Sequence, residues 1–181
     1  VQLKLAARLY TSRLGNRPVG IFNTQAHWVW RIAPALSFRH FLSISAHMTA
    51  LNDIYEEYEF LDADDRYRLL IDLGKALEPM PDALKTDATL VRGCSAAVWV
   101  YPTTLEDGRL HFLADSNAAI TKGIIALVLT TVQDGTPQEV AAADIEGALS
   151  PFDLKNQLSS NRTQGIPNMI ALIRDTAARY L

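Results

Sequence analysis

Cys94 is the single cysteine in this 181-residue sequence, and it stands in Val91-Arg92-Gly93-Cys94-Ser95 between two runs of strand-forming residues. A cysteine that follows glycine can be held at a loop tip, because glycine takes backbone angles that other residues avoid. The chemistry open to a lone thiolate there is nucleophilic sulfur exchange: attack on a sulfur of another thiol derivative, and acceptance of it. Arg92, adjacent in sequence, would favour the thiolate. The residues by themselves leave a second reading, a small buried hydrophobe, since free cysteines are among the most buried residue types. One cysteine excludes an intramolecular disulfide, a multi-cysteine zinc site and a cysteine-ligated iron–sulfur cluster. Thiol hydrolysis needs a histidine base oriented by a third group. After residue 47 the chain offers only His111, on the neighbouring expected strand, and a lone histidine is not a metal site.

Other candidates carry two readings each. Asp115-Ser116-Asn117 reads as a helix cap, or as a partner surface near the cysteine loop. Arg162, in the polar stretch 159–165, is a solvated loop charge, or one that docks a partner or orients the Cys94 loop. Trp99 and Tyr101 fall on one face of a strand and suit packing. The acidic run Glu56–Asp65 suits a solvated helix face.

These residues need elements to position them. Apolar residues make up 49% of the chain and charged residues 20%, enough to bury a core in one ordinary domain. The net charge of −3 argues against nucleic acid as the main partner. No apolar run reaches the roughly 20 residues of a membrane-spanning helix. Charge sign breaks near residue 50: residues 1–52 hold six basic residues and no acid, whereas 53–181 hold 11 basic and 20 acidic residues. The first 47 residues lack helical or strand periodicity, and Met48 sits at the break. The expectation is a basic N-terminal extension over 1–47, an upstream stretch of reading frame, a presequence or a genuine arm, followed by a domain over 48–181.

Within that domain, Asp53–Leu61 and Asp64–Leu77 read as helices, the second capped by Asp64 or Asp65 and closed by Pro79 and Pro81. Thr89–Val91 and Ala96–Tyr101 read as strands, followed across the Glu106-Asp107-Gly108 turn by Arg109–Ala114. Ala118–Gln133 is apolar on most faces, as a central helix is, and Gly123 within it would admit a neighbouring backbone. Thr136-Pro137 opens a further helix, Asp153–Leu158 is a short one, and Pro167–Tyr180 is the last. The class is α+β, a small antiparallel sheet covered by helices.

The ordered string of motifs resembles the SufE family of sulfur acceptor proteins, with its CsdE branch. It runs through Asp65-Arg66-Tyr67-Arg68, Leu73-Gly74, Val91-Arg92-Gly93-Cys94-Ser95 with Val98-Trp99-Val100, Asp115-Ser116-Asn117-Ala118-Ala119-Ile120 with Lys122-Gly123, and Leu158-Ser159 with Arg162-Thr163-Gln164-Gly165. The resemblance covers about residues 53–180 and leaves 1–47 outside. It implies a three-stranded antiparallel sheet packed against helices, as in SufE and IscU-type proteins. It implies a partner, a cysteine desulfurase of the SufS or CsdA type, which carries the PLP; this chain would need no cofactor and no metal of its own. Cys94 would take persulfide sulfur from that enzyme and pass it to an iron–sulfur scaffold. Arg92, Gly93, Ser95, Asp115, Asn117 and Arg162 would support the loop or the docked partner. Val91, Val98 and Trp99 would line an apolar cavity over which the cysteine loop rests before swinging out.

The sequence departs from the family pattern in two places. Gly-Cys-Gln-Ser-Gln-Val-Trp is common in the family, where this chain has Gly93-Cys94-Ser95-Ala96-Ala97-Val98-Trp99. A His and a Pro common before the arginine loop are replaced within Asn156-Gln157-Leu158-Ser159-Ser160. The rival readings are an adaptor that binds the desulfurase without carrying sulfur, and an autonomous thiol enzyme. A single cysteine suits a reducing compartment, the cytoplasm, or an organelle if 1–47 is a presequence.

Overall fold

The computed structural model describes residues 36–158 and 163–181; the N-terminal 35 residues and the Arg162 loop lie outside the described residues. Ala35–Leu181 forms one compact unit. Helices α1 (Leu36–Phe60) and α2 (Ala63–Lys75) lead to a hairpin of β1 (Val98–Thr104) and β2 (Leu110–Ser116). Five further helices come after it among the described residues: α3 (Ala119–Thr130), α4 (Pro137–Ala142), α5 (Ile145–Leu149), α6 (Leu154–Gln157) and α7 (Ile166–Ala178). The class is α+β. Residue 48, where the charge pattern breaks, lies inside α1. No described helix is long and apolar enough to cross a membrane.

The turn from α1 to α2 is built by polar groups. The Asp62 side chain accepts from the Asp65 amide and caps α2 two or three residues earlier than the expected Asp64 or Asp65. Arg66 then reaches back across the turn. Its guanidinium donates to the carbonyls of Tyr58 and Glu59, the exposed C-terminal end of α1, and lies 4.9 Å from the Tyr58 ring centroid. Tyr55 and Tyr58 meet Phe152 edge-on, which ties α1 to the C-terminal half of the unit.

Among the described residues the expected sheet of three strands is a sheet of two. β1 and β2 pair antiparallel from Val98↔Ser116 to Thr104↔Leu110. Thr89–Val91 contributes one isolated bridge, Leu90↔Trp99, with bonds Val91 N–H to Val98 O at 2.8 Å and Val100 N–H to Thr89 O at 2.9 Å. Turns on both sides leave this segment too short to form a ladder. Strand β1 also outruns its expected end, passing through Pro102. Pro102 lies opposite Phe112, whose own backbone bonds outward to the Gln133 side chain. The pair is therefore one that exchanges no hydrogen bonds, and the missing Pro102 N–H falls on the open side of the sheet.

Alternation places Val98 and Val100 of β1 and Leu110, Phe112 and Ala114 of β2 in the core. They meet α3, whose Ile120, Ile124, Ile125, Leu127, Val128 and Leu129 are all buried. Helix α3 is the central helix expected from its all-round apolar pattern. On its other side α2 crosses it at glycines. A Cβ on Gly123 would run into the Leu70 carbonyl, and one on Gly74 would lie 2.7 Å from the Gly123 nitrogen. Asp115-Ser116-Asn117 does not cap α3 by side-chain bonding to its first turn. Pairing with Val98 draws Ser116 into β2, and Ala118 becomes the capping residue.

The outer edge of β2 is covered by residues 133–135. Leu110 N–H bonds to Gly135 O, and the Gln133 amide pairs with both backbone groups of Phe112 as a strand would. His111 clasps this cover, with Nδ1 2.7 Å from Asp134 and Nε2 3.0 Å from Glu78. Burial by itself pulls the imidazole pKa down, but Asp134 and then Glu78 outweigh it and hold the pKa above the ordinary value.

Gly123→Ala forces overpacking against a backbone that cannot step aside, costing about 1–3 kcal/mol and lowering Tm by several degrees; an unchanged Tm would contradict the close crossing. The raised His111 pKa stabilises the fold below the unfolded imidazole value of about 6.5, and that contribution fades as pH rises through the higher folded value. The Tm difference between wild type and His111→Gln should therefore be largest at mildly acidic pH and shrink at alkaline pH.

Candidate functional site

The loop of residues 92–97 joins the Leu90 bridge to β1. Gly93 turns it with φ 81°, a left-handed angle that a side-chain-bearing residue adopts at a cost. Past this turn Cys94 faces inward while Arg92 and Ser95 are exposed. Its side chain lines a small pocket of about 20 Å³ together with Val98 of β1, Thr121, Ile124 and Ile125 of α3, and Ile166 and Met169 of α7. That free space would hold about one water, and Cys94 itself is half-buried.

The floor of the pocket is Gly165, the capping residue of α7. A Cβ built there would collide with the Cys94 sulfur, so the sulfur packs into the space that any larger residue at 165 would need. Gly165 itself has φ −80°, an angle open to all residues. Its lack of a side chain is thus a matter of room, not of backbone geometry. Burial pushes the Cys94 thiol pKa up, because the low-polarity wall disfavours the charged form.

The loop is tied down on both sides. At its C-terminal end the Asn117 side-chain oxygen accepts from Ala97 N–H at 3.1 Å, and Asn117 N–H donates to Ala97 O at 3.2 Å. Ser116 Oγ donates to the same carbonyl at 2.8 Å. At its N-terminal end the Asn168 side-chain amide donates to Arg92 O at 2.9 Å. Asp115, one residue before Ser116, binds Lys85 at 2.8 Å and Lys122 at 2.6 Å. Burial alone would raise its carboxyl pKa, but the hydrogen bonds from Lys122 and Lys85 prevail and hold it below the usual carboxylate range. Asp115 therefore braces the end of β2 from which Ser116 and Asn117 reach the loop.

The structure brings Arg92, Gly93, Ser95 and Asn117 together with Cys94 in or beside one loop, and sets Asp115 just behind it. Arg162 lies outside the described residues. Of the three residues expected to line the cavity, Val98 does so, whereas Val91 and Trp99 do not. Strand alternation explains Trp99: Val98 and Trp99 are adjacent in β1 and must face opposite sides. Val91 is buried in the core instead. His111 is remote. It pairs with Thr103, whereas the loop enters β1 at Val98 opposite Ser116, five residues away along β2, or about 17 Å. It cannot serve Cys94 as a base. Among the described residues no cluster of three His, Cys, Asp or Glu side chains is placed to hold a metal ion.

Gly165 and Asn168 are the contributions that reading the chain for chemistry misses. Gly165 ends the arginine-loop motif, and nothing in its neighbours assigns it a role. Asn168 comes after a proline in what reads as an ordinary helix start, and its contact spans 76 residues, so no local pattern reveals it.

Gly165→Ala should displace the sulfur from its seat at little cost to the backbone. Cys94 should then react faster with iodoacetamide, and the pH midpoint of that reaction should fall from its raised value toward that of an ordinary thiol. An unchanged midpoint would show that the seat does not set the ionisation.

Known proteins are similar to this chain in sequence and in fold. A SufE-like protein of Rhizobium etli is 37% identical over 72% of this chain and 90% of its own length. The sulfur acceptor protein CsdE of Escherichia coli is 40% identical over 57% of this chain and 70% of its own length. The solution structure of a hypothetical protein from Thermus thermophilus superposes with a TM-score of 0.58 over 72% of this chain and 94% of that one, at 16% identity, a likeness of fold. Residues 52–177, which contain the whole hairpin, the cysteine loop and nearly all of α7, match the family model described as SufE, the Fe-S metabolism associated domain, and the chain belongs to that family.

Proposed function

We propose that this protein is a sulfur acceptor that activates a PLP-dependent cysteine desulfurase by taking persulfide sulfur onto Cys94 and passing it to iron–sulfur cluster assembly. The observation that carries the reading is the placement of the single cysteine. It is half-buried against a largely apolar wall and packed on Gly165, yet on a short loop turned by a glycine and bordered by exposed residues. A purely structural cysteine gains nothing from such a loop. CsdE of Escherichia coli, a relative at 40% identity, is named as a sulfur acceptor, and this supports the assignment.

The step is a thiol–persulfide exchange. In the seat the thiol is protonated and sheltered, because burial disfavours the thiolate. When the loop swings out against the desulfurase, the thiol enters water, loses its proton and becomes nucleophilic. The Cys94 thiolate attacks the terminal sulfur of the enzyme's cysteine persulfide. A new S–S bond forms on Cys94 as the enzyme's S–S bond breaks, and the enzyme's cysteine leaves as a thiolate. The transferred sulfur keeps its oxidation state, so no external oxidant or reductant is consumed. A second exchange hands it to a thiol of the scaffold. The PLP that releases sulfur from L-cysteine belongs to the partner; this chain works without a cofactor or metal. The exposed Arg92 and Ser95 flank the emerging thiol and suit contact with the partner, and the cytoplasm or an organellar interior suits a thiol that must stay reduced.

Cys94→Ser should leave Tm within a degree or two and reduce desulfurase turnover to the level of the enzyme alone. Intact-mass measurement after incubation with desulfurase and L-cysteine should show a gain of one sulfur atom on Cys94. Full stimulation by Cys94→Ser, with the wild-type chain unmodified, would establish the adaptor reading instead.

A further inference from the structure

The loop carrying Cys94 is fastened to two different parts of the molecule. Its two ends belong to the sheet. Val91 N–H bonds to Val98 O, and Ala97 is held through both backbone groups by Asn117 and Ser116. Between Val91 and Ala97 it rests on α7, through the sulfur on Gly165 and through the Asn168 amide on Arg92 O. Gly93 lies between these contacts, and a Cβ on it would run into the Asn168 amide, so loop and side chain are closely apposed. Asn168 stands three residues beyond Gly165. One turn of helix therefore supplies both the sulfur's seat and the bond beside it. The Asn168 bond is solvent-exposed and is the one hydrogen bond described at Arg92 O, whereas Ala97 is held by an exposed bond to Asn117 together with a part-buried one from Ser116. Water competes for the Asn168 bond more readily than for the Ser116 bond.

From this arrangement we infer that Asn168 is a positioning residue, the latch that sets how often Cys94 leaves its seat. Breaking its bond to Arg92 O frees residues 92–96 to pivot between Val91 and Ala97, which stay bound to the sheet. The latch engages a backbone carbonyl, so it is indifferent to the side chain at 92 and acts with or without a partner. Its functional meaning rests on the sulfur-acceptor reading, but its physical effect does not.

The test uses the whole chain with two variants. Asn168→Leu keeps the side chain's size and removes the donor; Asn168→Ala removes both. Without desulfurase, the rate of exchange between Cys94 and an aromatic disulfide should rise roughly two- to tenfold in both, the range expected for losing one hydrogen bond. Tm should stay within about two degrees. Amide hydrogen exchange should accelerate across 92–96 while Val91 and Ala97 keep their protection. With desulfurase and L-cysteine, sulfur should appear on Cys94 faster than in wild type. Thiol reactivity unchanged in both variants overturns the latch, as does equal loss of protection at Val91 and Ala97, which would mean general loosening. A wild-type chain that acquires no sulfur overturns the acceptor reading alone, leaving the reactivity and exchange results to decide the latch.

Discussion

The contact between the Cys94 sulfur and Gly165 is the constraint around which the site is arranged. One sulfur atom fills a space that exists only because residue 165 has no side chain. For the two to meet, the loop after Leu90 must turn sharply at Gly93, and α7 must begin beside α3. Helix α3 settles the second requirement. It gives Thr121, Ile124 and Ile125 to the sulfur's pocket, Lys122 to Asp115, and Gly123 to the crossing with α2. Three consecutive positions thus serve the pocket, the brace behind the loop and the packing of the core. Helical geometry lets them do so because each points in a different direction.

Much of this architecture is legible in the residues. The all-round apolar run that becomes α3, the proline that opens α4 and the threonine before it, and the alternating β2 all arise from local physics. Thr136 and Glu139 form the reciprocal cap expected at such a helix start. Where local reading misleads, a distant partner has intervened. Asp115-Ser116-Asn117 has the composition of a cap, yet strand pairing with Val98 and the two lysines claim it first. Thr89–Val91 has strand propensity but lacks the length to form more than a bridge. Pro102 reads as a strand end, and only the direction of Phe112's bonds shows that the proline is harmless there.

The site divides in the same way. Cys94 and Gly93 announce themselves by type and order. The residues that decide whether the thiol is hidden do not, because Gly165 and Asn168 act across more than 70 positions of sequence through shape and a single amide. The motif resemblance points to the right stretch of chain. Only the folded strand separates Val98, which touches the pocket, from Trp99, which its geometry turns away.

The ties at Arg92 and Ala97 grip carbonyl and amide groups, which every amino acid other than proline shares. Closure at these points is thus insulated from drift in the loop's own composition. The loop's side chains can therefore change while its resting posture is held from outside it by Asn117 and Asn168.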